Sequence, residues 1–122
     1  MNLPREIVQH LFHLVQSQPA AFGLIGAVDG VARACFPLAA HRGMTMVDLV
    51  QEMEAQGLKP FATFAVSGEL PLIPERPEGL ALPALPHLMI GQRTQGVLEI
   101  DAYLEGPSGW TSVELRLPKD HP

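Results

Sequence analysis

Two histidines near the amino terminus are the first residues whose spacing suggests chemistry, since His10 and His13 are three positions apart. On a helix, that spacing puts both imidazoles on one side, where they could share a metal ion. A zinc centre needs three or four ligands, and no carboxylate or cysteine is placed to complete this pair. The pair therefore predicts a solvated helix face in preference to a metal site.

Cys35 and Ser67 are the candidate nucleophiles. Cys35 lies in the apolar segment VARACFPLA, where a thiol is usually a small buried side chain without an activating base. Ser67 ends an apolar run, as the serine of a nucleophile elbow does, but that motif needs glycine two residues before and two residues after the serine. Ala65 and Glu69 occupy those positions, so the sequence predicts no nucleophilic catalyst.

The composition is that of one globular domain, residues 1–122, with 47% hydrophobic and 17% charged residues. The net charge is −5 and there is no basic run, so we expect neither nucleic acid nor an anionic membrane surface as a partner. The single cysteine, the lack of a signal-peptide pattern and the lack of a long apolar run predict a cytoplasmic protein.

Apolar side chains at helical spacing predict one helix over residues 5–17 and a second over residues 44–57. In the second helix, Thr45 and Asp48 have the spacing of a capping box, and Gly57 supplies a left-handed stop. The buried side of this helix is predicted to consist of Met46, Val47, Leu49, Val50 and Met53.

The strands are predicted from shorter patterns. Asp29-Gly30 between two apolar runs indicates a hairpin, and KPFATFAVS, residues 59–67, is typical of a strand covered on both faces. Three more strands follow in PHLMIGQ, GVLEIDAYLEG and WTSVELRLP, and His87 at the start of the first is expected to face solvent. The order α-β-β-α-β-loop-β-β-β predicts an α+β domain with a mixed central sheet flanked by two main helices.

A proline-rich loop over residues 68–87 follows the apolar strand. Pro71, Pro74 and Pro77 recur at every third residue, which would align them on one edge of a polyproline helix that could dock an aromatic groove. The favoured interpretation is that the prolines stiffen the loop by restricting the unfolded chain.

The segments QPAAFGLIGAVDG, GLKPFATFAVSGELPLIPERPEGLAL and LPHLMIGQRTQGVLEIDAYLE, together with the order of elements, resemble the JAB/MPN domain in its short prokaryotic form. The resemblance spans residues 5–117 and implies a cytidine-deaminase-like fold. Active members are zinc isopeptidases or peptidases: a glutamate acts as general base, and a His-x-His-Pro strand end and a later Pro-Ser-x-x-Asp supply the zinc ligands and a serine. Two imidazoles and a carboxylate hold zinc and leave its fourth position to water.

The positions that the resemblance assigns to the base and the imidazoles are all substituted. Ala20, or Ala21 if the register shifts by one residue, stands at the general-base position. Ala65 and Ser67 stand where the two zinc-binding imidazoles are expected. The resemblance thus implies a framework without these catalytic groups.

The loop motif is substituted as well, because in PERPE Glu75 replaces the serine and Glu78 replaces the aspartate ligand. One carboxylate without imidazoles would hold zinc weakly. We therefore expect no catalytic residue, no bound metal and no cofactor.

The first function that this substituted framework suggests is an inactive JAB/MPN-like domain that acts as a protein-interaction or scaffold module. The resemblance implies a homodimer or a protein partner, including partners from ubiquitin-like or sulfur-carrier systems. Apolar residues near the former cleft would form the binding loop, namely Val66, Leu70, Leu72 and Ile73.

Two alternatives stay open. One is a metal-dependent peptidase or isopeptidase with relocated ligands, in which Glu75 and Glu78 are joined by His41 or His87. The other is a small-molecule pocket in the vacated cleft, with Ser67 and Glu69 as polar contacts.

Overall fold

The computed structural model describes residues 1–17, 21–38, 43–67, 85–91 and 99–117. In these ranges the chain forms two helices and six strands in the predicted order, which confirms the α+β class. The elements are α1 (Arg5–Ser17), β1 (Phe22–Val28), β2 (Val31–Pro37), α2 (Met46–Ala55), β3 (Lys59–Ser67), β4 (His87–Gly91), β5 (Glu99–Gly106) and β6 (Gly109–Val113).

The six strands form one sheet in the order β2-β1-β3-β4-β5-β6. β3 and β4 are parallel, and the other four neighbouring pairs are antiparallel, so the sheet is mixed as predicted. The two helices pack on opposite sides of it: we call the side that α1 covers the first face and the side that α2 covers the second face.

Two local features that the sequence predicts, a hairpin turn and a helix cap, are present in the structure. Asp29 and Gly30 have φ angles of 52° and 78°, and two consecutive positive values are what a type I′ hairpin turn requires. At the start of α2, Thr45 Oγ1 accepts a hydrogen bond from the Asp48 N–H, and Asp48 Oδ2 accepts one from the Thr45 N–H. This reciprocal pair is the predicted capping box.

The first face carries the larger core. Helix α1 lies across it and contributes Ile7, Val8, Leu11, Leu14 and Val15. The sheet contributes apolar side chains from β1 to β5, so the layer is continuous under the helix. These sheet residues are Ile25, Ala32, Cys35, Ala62, Phe64, Val66, Leu88, Ile90 and Ala102.

The second face carries a smaller core at the β1–β2 end, where Leu24 and Phe36 meet Leu49 and Met53 of α2. Gly26 allows this approach, because a Cβ at that position would lie 3.2 Å from the Met53 side chain. The small core covers one end of the sheet.

One residue of α2 was wrongly predicted to be buried: the side chain of Val47 is 65% exposed. Leu49 and Met53 lie four residues apart on the side that meets the sheet, and a rotation of about 100° per residue turns Val47 to the opposite side. Among the described residues, no helix is long and apolar enough to span a membrane.

Candidate functional site

The candidate site is the carboxyl end of β3, where the resemblance places the two imidazole positions. On the β1 side, Phe22 lies opposite Ala65 in the antiparallel register. The Val66 N–H donates a hydrogen bond of 2.8 Å to the carbonyl oxygen of Ala21. Ala21 is one of the two residues that the resemblance could assign to the general-base position. Its backbone therefore adjoins the strand end, although the two are distant in sequence.

On the other side, β4 pairs with β3 in parallel, with Met89 opposite Ala65 and Gly91 opposite Ser67. The strand end is thus flanked by two strands and has its backbone held in register on both sides. Ala65 itself is half-buried. The neighbours of Ala65 on β1 and β4 are a phenylalanine and a methionine, neither of which can ligate zinc through oxygen or nitrogen.

Val66 was predicted to belong to an exposed binding loop, and this is wrong. It lies inside β3 and its side chain is 8% exposed, packed in the first-face core. Because successive side chains of a strand point to opposite faces, Val66 turns to α1 while Ala65 turns to the second face. Val66 is therefore part of the first-face core and not of an exposed loop.

A polar pair lies on the second face. Its members are Thr63, two residues before Ala65 on β3, and His87, the first residue of β4. Thr63 and His87 are both fully buried, and Thr63 Oγ1 lies 2.7 Å from His87 Nδ1. The Thr63 N–H donates to the Pro86 carbonyl oxygen at 2.9 Å, and Oγ1 lies 3.4 Å from the same oxygen. These contacts join the parallel strands β3 and β4 at the point where β4 begins.

The burial of His87 corrects the prediction that it faces solvent. β4 lies between β3 and β5, and all five of its residues are buried. The His87 ring also packs near the Trp110 ring of β6, with ring centroids 6.2 Å apart. A proline before a strand indicates where the strand begins, but it does not show whether that strand lies at the edge or inside the sheet.

A hydroxyl beside an imidazole is also the arrangement of a nucleophile and its base. Here both side chains have zero exposure, so a substrate carbonyl has no access to Oγ1. The contact instead gives Thr63 Oγ1 and His87 Nδ1 a hydrogen-bonding partner inside the sheet, as buried polar atoms require. The sequence signal is a threonine among the apolar residues 60–66 of β3, but the sequence does not show that His87 is its partner.

The second face becomes polar beyond β4. Tyr103 of β5 lies opposite His87, and Asp101 lies opposite Met89. Tyr103 is half-buried and Asp101 is exposed. This part of the face thus combines aromatic rings with a carboxylate, whereas the end under α2 is apolar.

The other candidate groups occupy separate places. His10 is half-buried and His13 is exposed on α1; burial and, secondarily, the nearby His13 lower the pKa of His10. Burial raises the pKa of the Cys35 thiol to about 12, so it stays protonated at neutral pH, and its prediction as a core side chain is confirmed. Within the described ranges, no group of three or more His, Cys, Asp or Glu side chains is placed to hold a metal ion.

Several predicted site residues lie outside the described residues, so their positions stay predictions. They include the general-base position in its first register, the substituted loop motif, and most of the proposed binding loop. These residues are Ala20, His41, Glu69, Leu70, Leu72, Ile73, Glu75 and Glu78.

Comparison with solved structures finds proteins with a similar fold. No family model matches the sequence, and no curated protein matches it significantly. The fold is similar to the solution structure of protein DSY2949 from Desulfitobacterium hafniense, with a TM-score of 0.66 and 20% identity over 99% of this chain and 95% of that one. It is also similar to a protein from Salinibacter ruber (strain DSM 13855), with a TM-score of 0.62 and 18% identity over 99% of this chain and 94% of that one.

These similarities cover nearly the whole length of each chain, so the fold is shared from end to end. At 20% and 18% identity they show the fold alone. The JAB/MPN resemblance and the function that it implies remain hypotheses.

Proposed function

We propose that this domain is a non-catalytic protein-interaction module, built on a JAB/MPN-like framework whose zinc site is substituted. The observation that carries the proposal is that Ala65 and Ser67 lie at the carboxyl end of β3, between β1 and β4. The resemblance assigns the two zinc-binding imidazoles to these positions, and neither residue has an imidazole.

The backbone of Ala21 adjoins this strand end, since the Val66 N–H donates to the Ala21 carbonyl oxygen. The side chain of Ala21 packs against the first-face core, on the side of the sheet opposite to Ala65, so this register does not bring the general-base position to the imidazole positions. Ala20, the other residue for that position, lies outside the described residues. The proposal therefore rests on the β3 strand end alone.

Catalysis by the remaining polar groups is disfavoured. The Thr63–His87 pair is closed to solvent, and the Cys35 thiol is protonated and buried. The alternative with relocated metal ligands uses Glu75 and Glu78 with His41 or His87. The first three lie outside the described residues, and His87 is fully buried. That alternative therefore gains no support from the geometry.

The experiment restores the missing ligands. The variant Ala65→His, Ser67→His, Glu78→Asp should bind zinc with a stoichiometry near one, whereas the unmodified protein should bind none under the same conditions. The matched control places asparagine at 65 and 67 with the same Glu78→Asp change, which keeps polar side chains of similar size but removes the imidazoles. Zinc content by mass spectrometry and zinc titration by calorimetry provide the readouts.

Two results would overturn the proposal. One is a well-folded triple variant that binds zinc no better than the asparagine control, since the positions would then not form one site. The other is hydrolysis of a ubiquitin-like conjugate by the unmodified protein that a chelator abolishes. Pull-down of a specific partner by the unmodified protein, with no loss of binding in the presence of chelator, is the expected companion result.

A further inference from the structure

A cleft with a volume of about 370 Å³ lies at the amino end of β3, beside the turn of the β1–β2 hairpin. This is the end of the strand opposite to the candidate site, and the volume is within the range of about 300–1,000 Å³ that is typical of small-molecule sites. Val28, Pro60 and Phe61 form apolar walls, and Asp29 and Lys59 are the two charged residues of the lining. Val28 is 39% exposed and both charged residues are exposed, so the cleft is open to solvent.

A β-bulge shapes the apolar wall of the cleft. In the antiparallel register of β1 and β3, Ile25 lies opposite Ala62 and Gly26 lies opposite Pro60, which leaves Phe61 without a partner in the ladder. A bulge bends its strand and redirects a side chain, and bulges are frequent beside functional sites. Phe61 is half-buried and packs against the first-face core, so the core fixes the ring that lines the cleft.

The two charged residues are held at the cleft by backbone whose course is fixed. Asp29 is the first residue of the hairpin turn and has a φ angle of 52°. Lys59 opens β3 and lies opposite Ala27, and Leu58 just before it is buried in the second-face core. Within the described part of the chain, neither Asp29 nor Lys59 forms an ion pair. Both charges are therefore available to a bound molecule.

The register also sets the spacing of these charges. Asp29 follows Ala27 by two residues, so it lies diagonal to Lys59 across the two strands. Residues in such diagonal positions are about 7–8 Å apart in a regular ladder, within the combined reach of a long side chain and a small ligand. A molecule that carries a carboxylate and an ammonium on one carbon atom can contact both side chains at once.

We propose that the cleft binds a free α-amino acid with an aromatic side chain. The carboxylate of the ligand contacts the Lys59 ammonium, its ammonium contacts the Asp29 carboxylate, and its ring packs on Phe61 and Val28. The charges carry the inference, because a ligand with a carboxylate alone would be repelled by Asp29 and a ligand with an amine alone would be repelled by Lys59. An aromatic ring gains further from Phe61, since ring pairs attract in offset or edge-to-face geometry.

The binding should be weak and reversible. Both charged side chains are exposed, so water and salt screen their attraction for the ligand. For a ligand of this size we expect a dissociation constant on the order of 1 mM.

The cleft and the substituted zinc positions lie at opposite ends of β3, since Lys59 is its first residue and Ser67 its last. Ligand binding at the cleft therefore does not depend on the proposed interaction module. The zinc experiment and the ligand experiment can fail separately.

The test is a titration of the protein with L-phenylalanine, followed through the backbone amide signals in nuclear magnetic resonance spectra. The amides of Gly30, Gly57 and Lys59, which line the cleft, should shift along one saturation curve. The amide of Val66, near the far end of β3, should not move. Phenylacetate lacks the ammonium and phenethylamine lacks the carboxylate, so each should bind at least about threefold more weakly than L-phenylalanine.

Two variants remove the charges separately. Lys59→Gln keeps a long polar side chain without the charge, and L-phenylalanine should then bind no better than phenethylamine. Asp29→Asn keeps a residue that tolerates the positive φ angle of the turn, and L-phenylalanine should then bind no better than phenylacetate. Asp101→Asn is the matched control, because it neutralises an exposed aspartate on β5 and should leave all three affinities unchanged.

Thermal unfolding verifies that each variant is folded, which we expect because Asp29 and Lys59 are both exposed. Unmodified protein whose cleft amides show no saturable shift up to about 20 mM L-phenylalanine overturns the proposal. So does equal binding of L-phenylalanine, phenylacetate and phenethylamine, or a folded Lys59→Gln or Asp29→Asn variant that keeps the selectivity of the unmodified protein.

Discussion

On the first face of the sheet, α1 packs on a continuous apolar core, whereas the second face carries a buried polar pair and a smaller core at one end. Strand β3 contributes to both, with Phe64 pointing to one face and Thr63 to the other. The first face supplies the larger hydrophobic contribution to stability. The second face links β3 to β4 through the contact between Thr63 and His87, and it includes Ala65 of the candidate site.

The largest effect should come from removing the centre of the first-face core. Phe64 is fully buried in it, so Phe64→Ala leaves a cavity and should lower the free energy of unfolding by about 3–5 kcal/mol. Urea denaturation monitored by circular dichroism measures the change. A loss of less than about 1 kcal/mol would mean that the first face does not dominate stability.

An intermediate effect is expected from the polar pair on the second face. Thr63→Val keeps the shape of the side chain but removes the hydroxyl that contacts His87 Nδ1, and should cost about 1–3 kcal/mol. A double-mutant cycle with His87→Phe should give a coupling free energy of at least about 0.5 kcal/mol. Additive effects of the two substitutions would show that the pair contributes only through packing.

The capping box of α2 should contribute less. Thr45→Ala removes the side-chain oxygen that accepts from the Asp48 N–H, and should cost about 1 kcal/mol. Thr45 also holds the pKa of Asp48 below its usual value of 3.8, first through its backbone N–H and then through its hydroxyl.

This pKa shift sets the pH dependence of the cap. Because the pKa of Asp48 is lower in the folded state, its stabilisation is present above pH 3.8 and is lost as the pH falls through the folded value. The difference in unfolding free energy between wild type and Thr45→Ala should therefore narrow below that pH. Asp48→Asn is the control: in that background, the effect of Thr45→Ala on the unfolding free energy should not change with pH. If the difference between wild type and Thr45→Ala is the same above and below pH 3.8, the assignment is contradicted.

The smallest effect is expected on the outer side of α2. Val47 is 65% exposed, so Val47→Ser should change the free energy of unfolding by no more than about 0.5 kcal/mol. Leu49→Ala, two residues on and buried against the sheet, should cost about 2–5 kcal/mol. Similar losses at both positions would mean that α2 packs with a different rotation.

Features that depend on neighbouring residues in the chain were predictable. The period of apolar residues indicated α1, Asp29-Gly30 indicated the hairpin turn, and the spacing of Thr45 and Asp48 indicated the capping box. Each of these rests on backbone conformation or on hydrogen bonds within a few residues.

Features that depend on strand neighbours were missed. His87 follows a proline and reads as a strand start, but its burial results from the position of β4 between β3 and β5. In the sequence, Val66 precedes a loop and was assigned to it. In the structure, the alternating directions of side chains along β3 place Val66 in the first-face core. The prediction that Val66 belongs to the binding loop is wrong, because successive residues of a strand point to opposite faces of the sheet.

The sequence by itself thus determined the α+β class and the order of the elements. Only the tertiary structure decided that β3 pairs in parallel with β4 and that Ala21 adjoins Val66. The physical reason is that hydrogen bonds between strands join backbone groups irrespective of side-chain type or distance along the chain. The partners of a strand therefore follow from how all the elements pack together.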